Sequence, residues 1–280
     1  MSTISAQHPY QQDQSSPAHS PAKGRGLIRN ILNTLSLSAI IGLLPVTAEA
    51  AESGNTLSDV SPALAQADQT LVGKELWQRA GLSARDRSLV TVAALVARNQ
   101  SYLLPRELER ALENGVKPAE LSELINHLAY YAGWDNALNA ANICHVIFAD
   151  HKIPSEQLPA VDPELLSFDK EAEDQRQSFV SSTYGEVSQG VVDYTQTQLF
   201  LDLWRRPDLA PRDRSLITVS ALVASGQPEQ IGFHLNKAMD NGLKQKEAGE
   251  ALTQLAFYAG WPKVFSALPV VKDVLNKRQK

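Results

Sequence analysis

The chain has 280 residues, 43% of them hydrophobic and 20% charged, with a formal net charge of -5. That is the composition of a globular protein with room for one or two domains, and with no basic block and only mild acidity it gives no sign of a nucleic-acid partner. Cys144 is the only cysteine, which excludes an intramolecular disulfide, a CxxC redox pair and a cysteine-based zinc site.

Residues 1–26 are polar and poor in apolar side chains, the composition of a disordered leader. Lys23, Arg25 and Arg29 then precede an apolar run from Ile31 to Val46, and Ala48, Glu49 and Ala50 follow with small residues spaced as a signal peptidase requires. This order predicts a secretory signal over residues 1–50, cleavage near Ala50 and a periplasmic or secreted mature chain. Asn33, Thr34 and Ser36 interrupt an already short run, so no membrane association is expected once the signal is removed.

Past the leader the sequence repeats itself. "RDRSLVTVAALVA" from Arg85 returns as "RDRSLITVSALVA" from Arg212, and "HLAYYAGW" from His127 returns as "QLAFYAGW" from Gln254. "ENG" at Glu113 returns as "DNG" at Asp240, and Trp77 returns as Trp204, all at one offset of 127 residues. A constant offset over separate motifs marks a tandem duplication, with a period too long for a solenoid. The first unit is predicted over 56–150, a Pro-rich linker with Pro154, Pro159 and Pro163 over 151–167, and the second unit over 168–280.

Both units read as all-α. Asp59 to Arg79 leads in. In the next helix Leu89, Val92, Ala93 and Val96 recur at helical spacing, and Ser83 with Asp86 resembles a capping box. A second helix covers "RELERALEN" and stops at Gly115. A third opens with Pro118 and Glu120, buries Leu121, Leu124, Ile125, Leu128 and Ala129, and ends at Gly133. A fourth runs from Asp135 to Ala149, where Cys144 reads as a small core hydrophobe. Two helical stretches, Asp169 to Val180 and Val191 to Trp204, lead into the second unit. That unit repeats the four helices as Arg212–Ala224, Gly232–Asn241, Lys246–Ala259 and Pro262–Asn276. No strand or hairpin signal is present.

The motifs "RDRSL", "HLNKAMDNG" and "LAFYAGWP" resemble the carboxymuconolactone decarboxylase family, over nearly all of the second unit and, with more departures, over Trp77 to Phe148. The resemblance implies a helical fold of the alkyl hydroperoxide reductase D-like type, paired here as a pseudo-two-fold. It also implies assembly into a homo-oligomer, as a trimer of fused pseudo-dimers, and neither metal nor organic cofactor. The family has a lyase branch acting on carboxylated lactones and a thiol branch with peroxiredoxin activity. The thiol branch uses CxxC and a His four residues after its second cysteine. His234 matches that His, but Gln227 and Gln230 stand at the cysteine positions, and the first unit has Gln100, Leu103 and Glu107 there. Without those thiols the peroxidatic cycle lacks its nucleophile. In the lyase branch an acid usually stands where this chain has Gln230, with Glu229 beside it.

Two histidines are candidates for chemistry. His234 reads as a proton donor working near neutral pH, oriented by Gln230 and Glu229, or as a surface or interface histidine. His127 reads as a buried histidine bonded to the backbone, or as a second pocket residue. Where the first unit pairs His127 with Glu107, the second pairs Gln254 with His234. Duplication could have divided one site between the units, or one site could have decayed. Tyr131, Tyr258, Trp134 and Trp261 read as core or interface anchors or as substrate contacts. Arg212, in a charged helix start shared by both units, reads as an ion-pair partner or as an anchor for an anionic substrate. The expected partner is a small carboxylated or lactone-type molecule. A peroxidase relative lacking its thiols and a non-catalytic helical scaffold are the other two readings.

Overall fold

The structure is a computed structural model, and residues 57–279 are described. The predicted signal segment and its cleavage point lie outside the described residues. The described residues form one compact unit, and a single hydrophobic core draws on both copies. No strand occurs among the described residues.

The first copy comprises α1 (Pro62–Ala67), which runs on as a π-helical turn over Asp68–Leu76, then α2 (Ala84–Ala97), α3 (Leu104–Glu113), α4 (Pro118–Ala132) and α5 (Trp134–Asp150). The second is led in by α6 (Lys170–Tyr184) and α7 (Gln189–Tyr194), which runs on as a π-helical turn over Thr195–Phe200. It continues as α8 (Pro211–Ser225), α9 (Ile231–Asp240), α10 (Gln245–Ala259) and α11 (Trp261–Arg278). The wide turns fall at the same place in both copies and deliver Trp77 and Trp204 to matching positions. Such turns widen a helix where a side chain must be re-aimed.

Helices α2 and α8 pack against each other along the pseudo-two-fold. Every residue from Asp86 to Ala97, and from Asp213 to Ala224, is buried. A helix apolar nearly all round belongs in the centre of a bundle. The small residues Ala93, Ala94 and Ala97, with their counterparts Ser220, Ala221 and Ala224, allow a close approach between the two. The outer helices then cross over. Helix α4 packs on α8 of the other copy, and α10 packs on α2. This exchange is what builds the sites.

Local signals set the helix ends. Ser83 Oγ accepts the Asp86 amide at 3.0 Å. The Asp86 carboxylate does not close the capping box; it takes two bonds from Arg212 of the other copy, at 3.0 and 2.8 Å. Glu120 and Glu247 do reach back, to the amides of Lys117 and Lys244 at 2.8 and 2.9 Å. Gly133 and Gly260 (φ 99° and 96°) turn the chain between α4 and α5 and between α10 and α11, a backbone state a side chain would strain.

Candidate functional site

Each end of the pseudo-two-fold carries one polar cluster, built from both copies. At the first end α8 supplies Arg214 and Thr218, α4 supplies Glu123, His127 and Tyr131, and the segment before α8 supplies Trp204 and Arg206. Arg214 is 0% exposed. Its Nη2 donates to Glu123 Oε2 at 2.7 Å, and Arg206 Nε donates to Glu123 Oε1 at 2.8 Å. Burial lowers the proton affinity of Arg214, and the Glu123 carboxylate opposes that loss. The pair is a buried framework that ties the two copies together.

His127 is wholly buried within this framework. Thr218 Oγ1 gives its own proton to the Arg214 carbonyl at 2.7 Å, so at 2.8 Å it accepts from His127 Nε2. Arg214 Nη1 approaches His127 Nδ1 at 3.5 Å. Those partners assign the neutral ring with its proton on Nε2. Burial, then the Arg214 charge and His234, hold its pKa well below 6.5.

The opposite end answers why Gln254 stands where His127 does. Gln254 Nε2 donates to Thr91 Oγ1 at 3.0 Å, and Arg87 Nη1 donates to Gln254 Oε1 at 3.2 Å. An amide offers one donor and one acceptor, as a neutral imidazole does. Glu250 takes Arg87 and Arg79 as Glu123 takes Arg214 and Arg206.

The two histidines meet. Cross-copy packing places His234, from α9, at the same end as His127. Tyr131 stacks on His127 at 4.8 Å and meets His234 edge-on at 5.3 Å. Trp204 meets His127 edge-on at 4.9 Å and stacks on His234 at 5.6 Å. Trp204 Nε1 donates to the Tyr131 hydroxyl at 2.9 Å. His234 is 8% exposed, and its Nδ1 is buried with no hydrogen-bond partner. Burial first, and the nearby Lys237 charge second, lower its pKa to about 4, below the neutral range expected of a proton donor.

A cleft of about 420 Å³ adjoins this cluster, lined by Phe168, Arg176, Phe200, Trp204, Phe233 and Lys237 among others. His234 does not line it directly; its neighbour Phe233 and its stacking partner Trp204 do.

The remaining candidates are dispersed. Glu107 sits at the Gln254 end, in contact with Tyr258 and two arginines. Gln230 and Glu229 lie in the exposed turn before α9, and neither is bonded to His234. Trp134 and Trp261 are half-exposed at the starts of α5 and α11, packed edge-on against Tyr130 and Phe257. Arg212 belongs to an ion-pair belt with Asp86, Asp213 and Glu247, and Arg85 mirrors it with Asp213 and Glu120. Burial pushes the Cys144 thiol up to about 12, which leaves it inert. Among the described residues, no group of three or more His, Cys, Asp or Glu side chains could hold a metal ion, and no helix is long and apolar enough to cross a membrane.

Sequence reasoning took Arg87 and Arg214 with the charged helix starts and missed their burial. The signal was there: Arg79, Arg87, Thr91 and Glu250 have identical counterparts at the repeat offset, and on a helix that is otherwise apolar such residues must be partnered. Lys237 and Arg176 were missed as well, and Arg176 has no counterpart among the described residues.

A fused pair of helical units sharing cross-copy sites defines the class of protein. The chain belongs to the carboxymuconolactone decarboxylase family, whose profile matches it twice, over residues 62–145 and 190–273. It is similar to 4-carboxymuconolactone decarboxylase of Acinetobacter baylyi, at 38% identity over 75 residues (27% of this chain and 56% of that protein). It is also similar to nitrosuccinic acid decarboxylase of Metarhizium robertsii, at 31% identity over 74 residues (26% and 52%). The chain thus spans about half the length of the curated relatives it matches. A solved structure described as a gamma-carboxymuconolactone decarboxylase subunit from Burkholderia xenovorans matches 80% of this chain and 90% of its own. Its TM-score is 0.49 at 15% identity.

Proposed function

We propose that the His127 end is the active site of a decarboxylase acting on a small carboxylated molecule, with His234 as its acid/base. The carrying observation is the buried, unpartnered Nδ1 of His234, one ring from a substrate-sized cleft. Two relatives that bear decarboxylase names support the reaction class.

The step balances without a co-reactant. The bond from carbon to the leaving carboxylate breaks, CO₂ departs, and the electron pair stays on carbon, delocalised into the substrate's own carbonyl. His234 then gives that carbon a proton and is reprotonated by water. In the free protein His234 is neutral near pH 7, because its pKa lies at about 4. A substrate anion drawn alongside raises that value, so binding loads the proton the reaction needs.

A panel of small carboxylates, first screened by thermal shift and then assayed for CO₂ release, tests this reading. A bound carboxylate raises the melting temperature by mass action. CO₂ release that persists undiminished in His234→Gln sinks it. Export through residues 1–50 and assembly as a trimer belong to the same proposal. Intact mass of the secreted chain and light scattering check them.

A further inference from the structure

The two ends of the pseudo-two-fold carry different charges at one position. At the Gln254 end Glu107 occupies the position that His234 holds at the other. Its carboxylate is enclosed. Arg106 Nη2 lies 3.1 Å and Arg110 Nη1 3.2 Å from it, and the Tyr258 hydroxyl donates to it at 3.3 Å. Trp77 Nε1 donates to that hydroxyl, and Arg110 sits over the Trp77 ring at 4.4 Å. Cations, phenol and anion close the site.

The His127 end repeats the enclosure with His234, not a carboxylate, at the Glu107 position. Trp204 Nε1 donates to the Tyr131 hydroxyl, and no side chain among the described residues accepts that hydroxyl's proton. Lys237 is the counterpart of Arg110 and lies over the Trp204 ring at 5.1 Å, with no ion-pair or hydrogen-bond partner among the described residues. The counterpart of Arg106 is Phe233, and the second cation comes instead from Arg176 on α6. Glu173 takes Arg176 Nε and Nη2 at 2.8 and 2.6 Å, while Nη1 is buried without a partner. Burial lowers the proton affinity of Lys237, Glu173 and Asp240 oppose that loss, and Arg176 adds to it; Arg176 also acts, after burial and the Trp204 hydrogen bond, on the Tyr131 phenol. Of the carboxylates lining the cleft, Glu173 and Asp240 act on Lys237 through space, but none lies within ion-pair distance of its Nζ among the described residues. Asp240 is paired with Arg278 at 2.7 Å, and Asp169 caps α6 through the Ala172 amide.

We propose that Lys237 Nζ, Arg176 Nη1 and the Tyr131 hydroxyl form a carboxylate-binding subsite in which the ligand supplies the negative charge that Glu107 supplies at the opposite end. The ligand is a planar carboxylate whose body lies in the cleft against Phe168, Phe200, Trp204 and Phe233. The inference rests on the decarboxylase reading for its biological use, but it concerns binding and stands or falls separately.

Benzoate and its neutral isostere benzamide are the probes, titrated into the full chain by calorimetry and followed by tryptophan fluorescence. Wild type is expected to take benzoate in preference to benzamide. Lys237→Met should weaken benzoate by about 10- to 100-fold, the share of a charge-assisted hydrogen bond, and leave benzamide unchanged. Lys237→Arg keeps the charge and should keep the binding, which guards against a variant that merely misfolds. His234→Glu should abolish benzoate binding, because a carboxylate there closes the subsite as Glu107 does. His234→Gln should retain it while losing turnover, which separates the anchor from the chemistry. No saturable benzoate binding by the wild type, or equal binding by wild type and Lys237→Met, would overturn the subsite and leave the role of His234 standing.

Discussion

At the Gln254 end a buried glutamate, two arginines and a phenol offset one another's charge within the chain, although Glu107 Oε2 and Arg87 Nε lack hydrogen-bond partners among the described residues. At the His127 end a histidine replaces the glutamate, and a lysine, one arm of an arginine and a phenolic proton are left unmatched. The Arg–Glu–Thr framework beneath is the same at both ends. Buried polar groups without partners are costly, so a fold retains them where a ligand completes them. The comparison shows what duplication made possible. Both ends keep the framework, and on the proposed reading the His127 end carries the groups for chemistry. Each cluster already draws on both copies, and the two histidines share one.

The largest effect expected from breaking this asymmetry is on rate. His234→Gln should lower turnover by about 10²–10⁴-fold, the usual share of a general acid–base group, with melting temperature nearly unchanged. Glu107→Gln, at the other end, should leave the rate within a few-fold of wild type. Steady-state assays on the first carboxylate found to release CO₂ decide it, and equal losses at both ends would erase the distinction.

The next effect is on stability and tests whether the frameworks are equally buried. The Glu123 side chain is 2% exposed and that of Glu250 14%. Glu123→Leu strands Arg214 and Arg206 in the interior and should cost about 3–5 kcal/mol, the range for a broken buried pair. Glu250→Leu leaves Arg79, which is 42% exposed at its side chain, able to reach water, and should cost less. Urea unfolding of the two variants measures the difference; a larger loss at Glu250 would contradict the ranking.

Much of the fold was legible because the helical signals are local. Pro118, Gly115, Gly133 and the apolar periodicity placed four helices per copy within a residue or two of their observed ends. The stretch read as one helix from Val191 to Trp204 is broken by a π-helical turn and a short 3₁₀ turn, which no local signal announced. The site was legible only in pieces. His127 and His234 stood out as residue types, but their meeting depends on α4 crossing to the other copy's α8, a non-local fact. Gln230 stands at the position where the lyase branch usually has an acid, with Glu229 beside it, and the turn before α9 leaves both exposed. Arg87 was read with Arg85 and Asp86 as part of a charged helix start. Its position one turn from Thr91 on a wholly buried helix is what puts it inside.

A smaller effect is pH-dependent and belongs to the His127 end. Both histidines have folded-state values below 6.5, with His234 at about 4. Below pH 6.5 the unfolded chain therefore binds protons that the folded chain refuses. Stability should be full above that point and fall as pH drops towards 4. For His234 alone the gap between 6.5 and about 4 corresponds to roughly 3 kcal/mol at the acid limit. Thermal melts of wild type and of the double variant His127→Gln/His234→Gln between pH 7 and 4 should show the variant losing less. Parallel curves would mean that neither ring is held neutral by the fold.

The smallest effect is expected from exchanging the residues that open "HLAYYAGW" and "QLAFYAGW". His127 gives a proton to Thr218 and faces the Arg214 guanidinium, and Gln254 makes the same two contacts with Thr91 and Arg87. His127→Gln should keep both bonds and change stability near neutral pH by less than about 1 kcal/mol, because no buried group loses its partner. Gln254→His should be similarly mild. Turnover in His127→Gln should stay within about tenfold of wild type, since a ring with both nitrogens committed to the framework has no proton to offer the substrate. A loss as large as that of His234→Gln, in a protein that melts normally, would give the opposite answer. It would show that the two stacked histidines act as one unit, and the double variant would then lose no more than either alone.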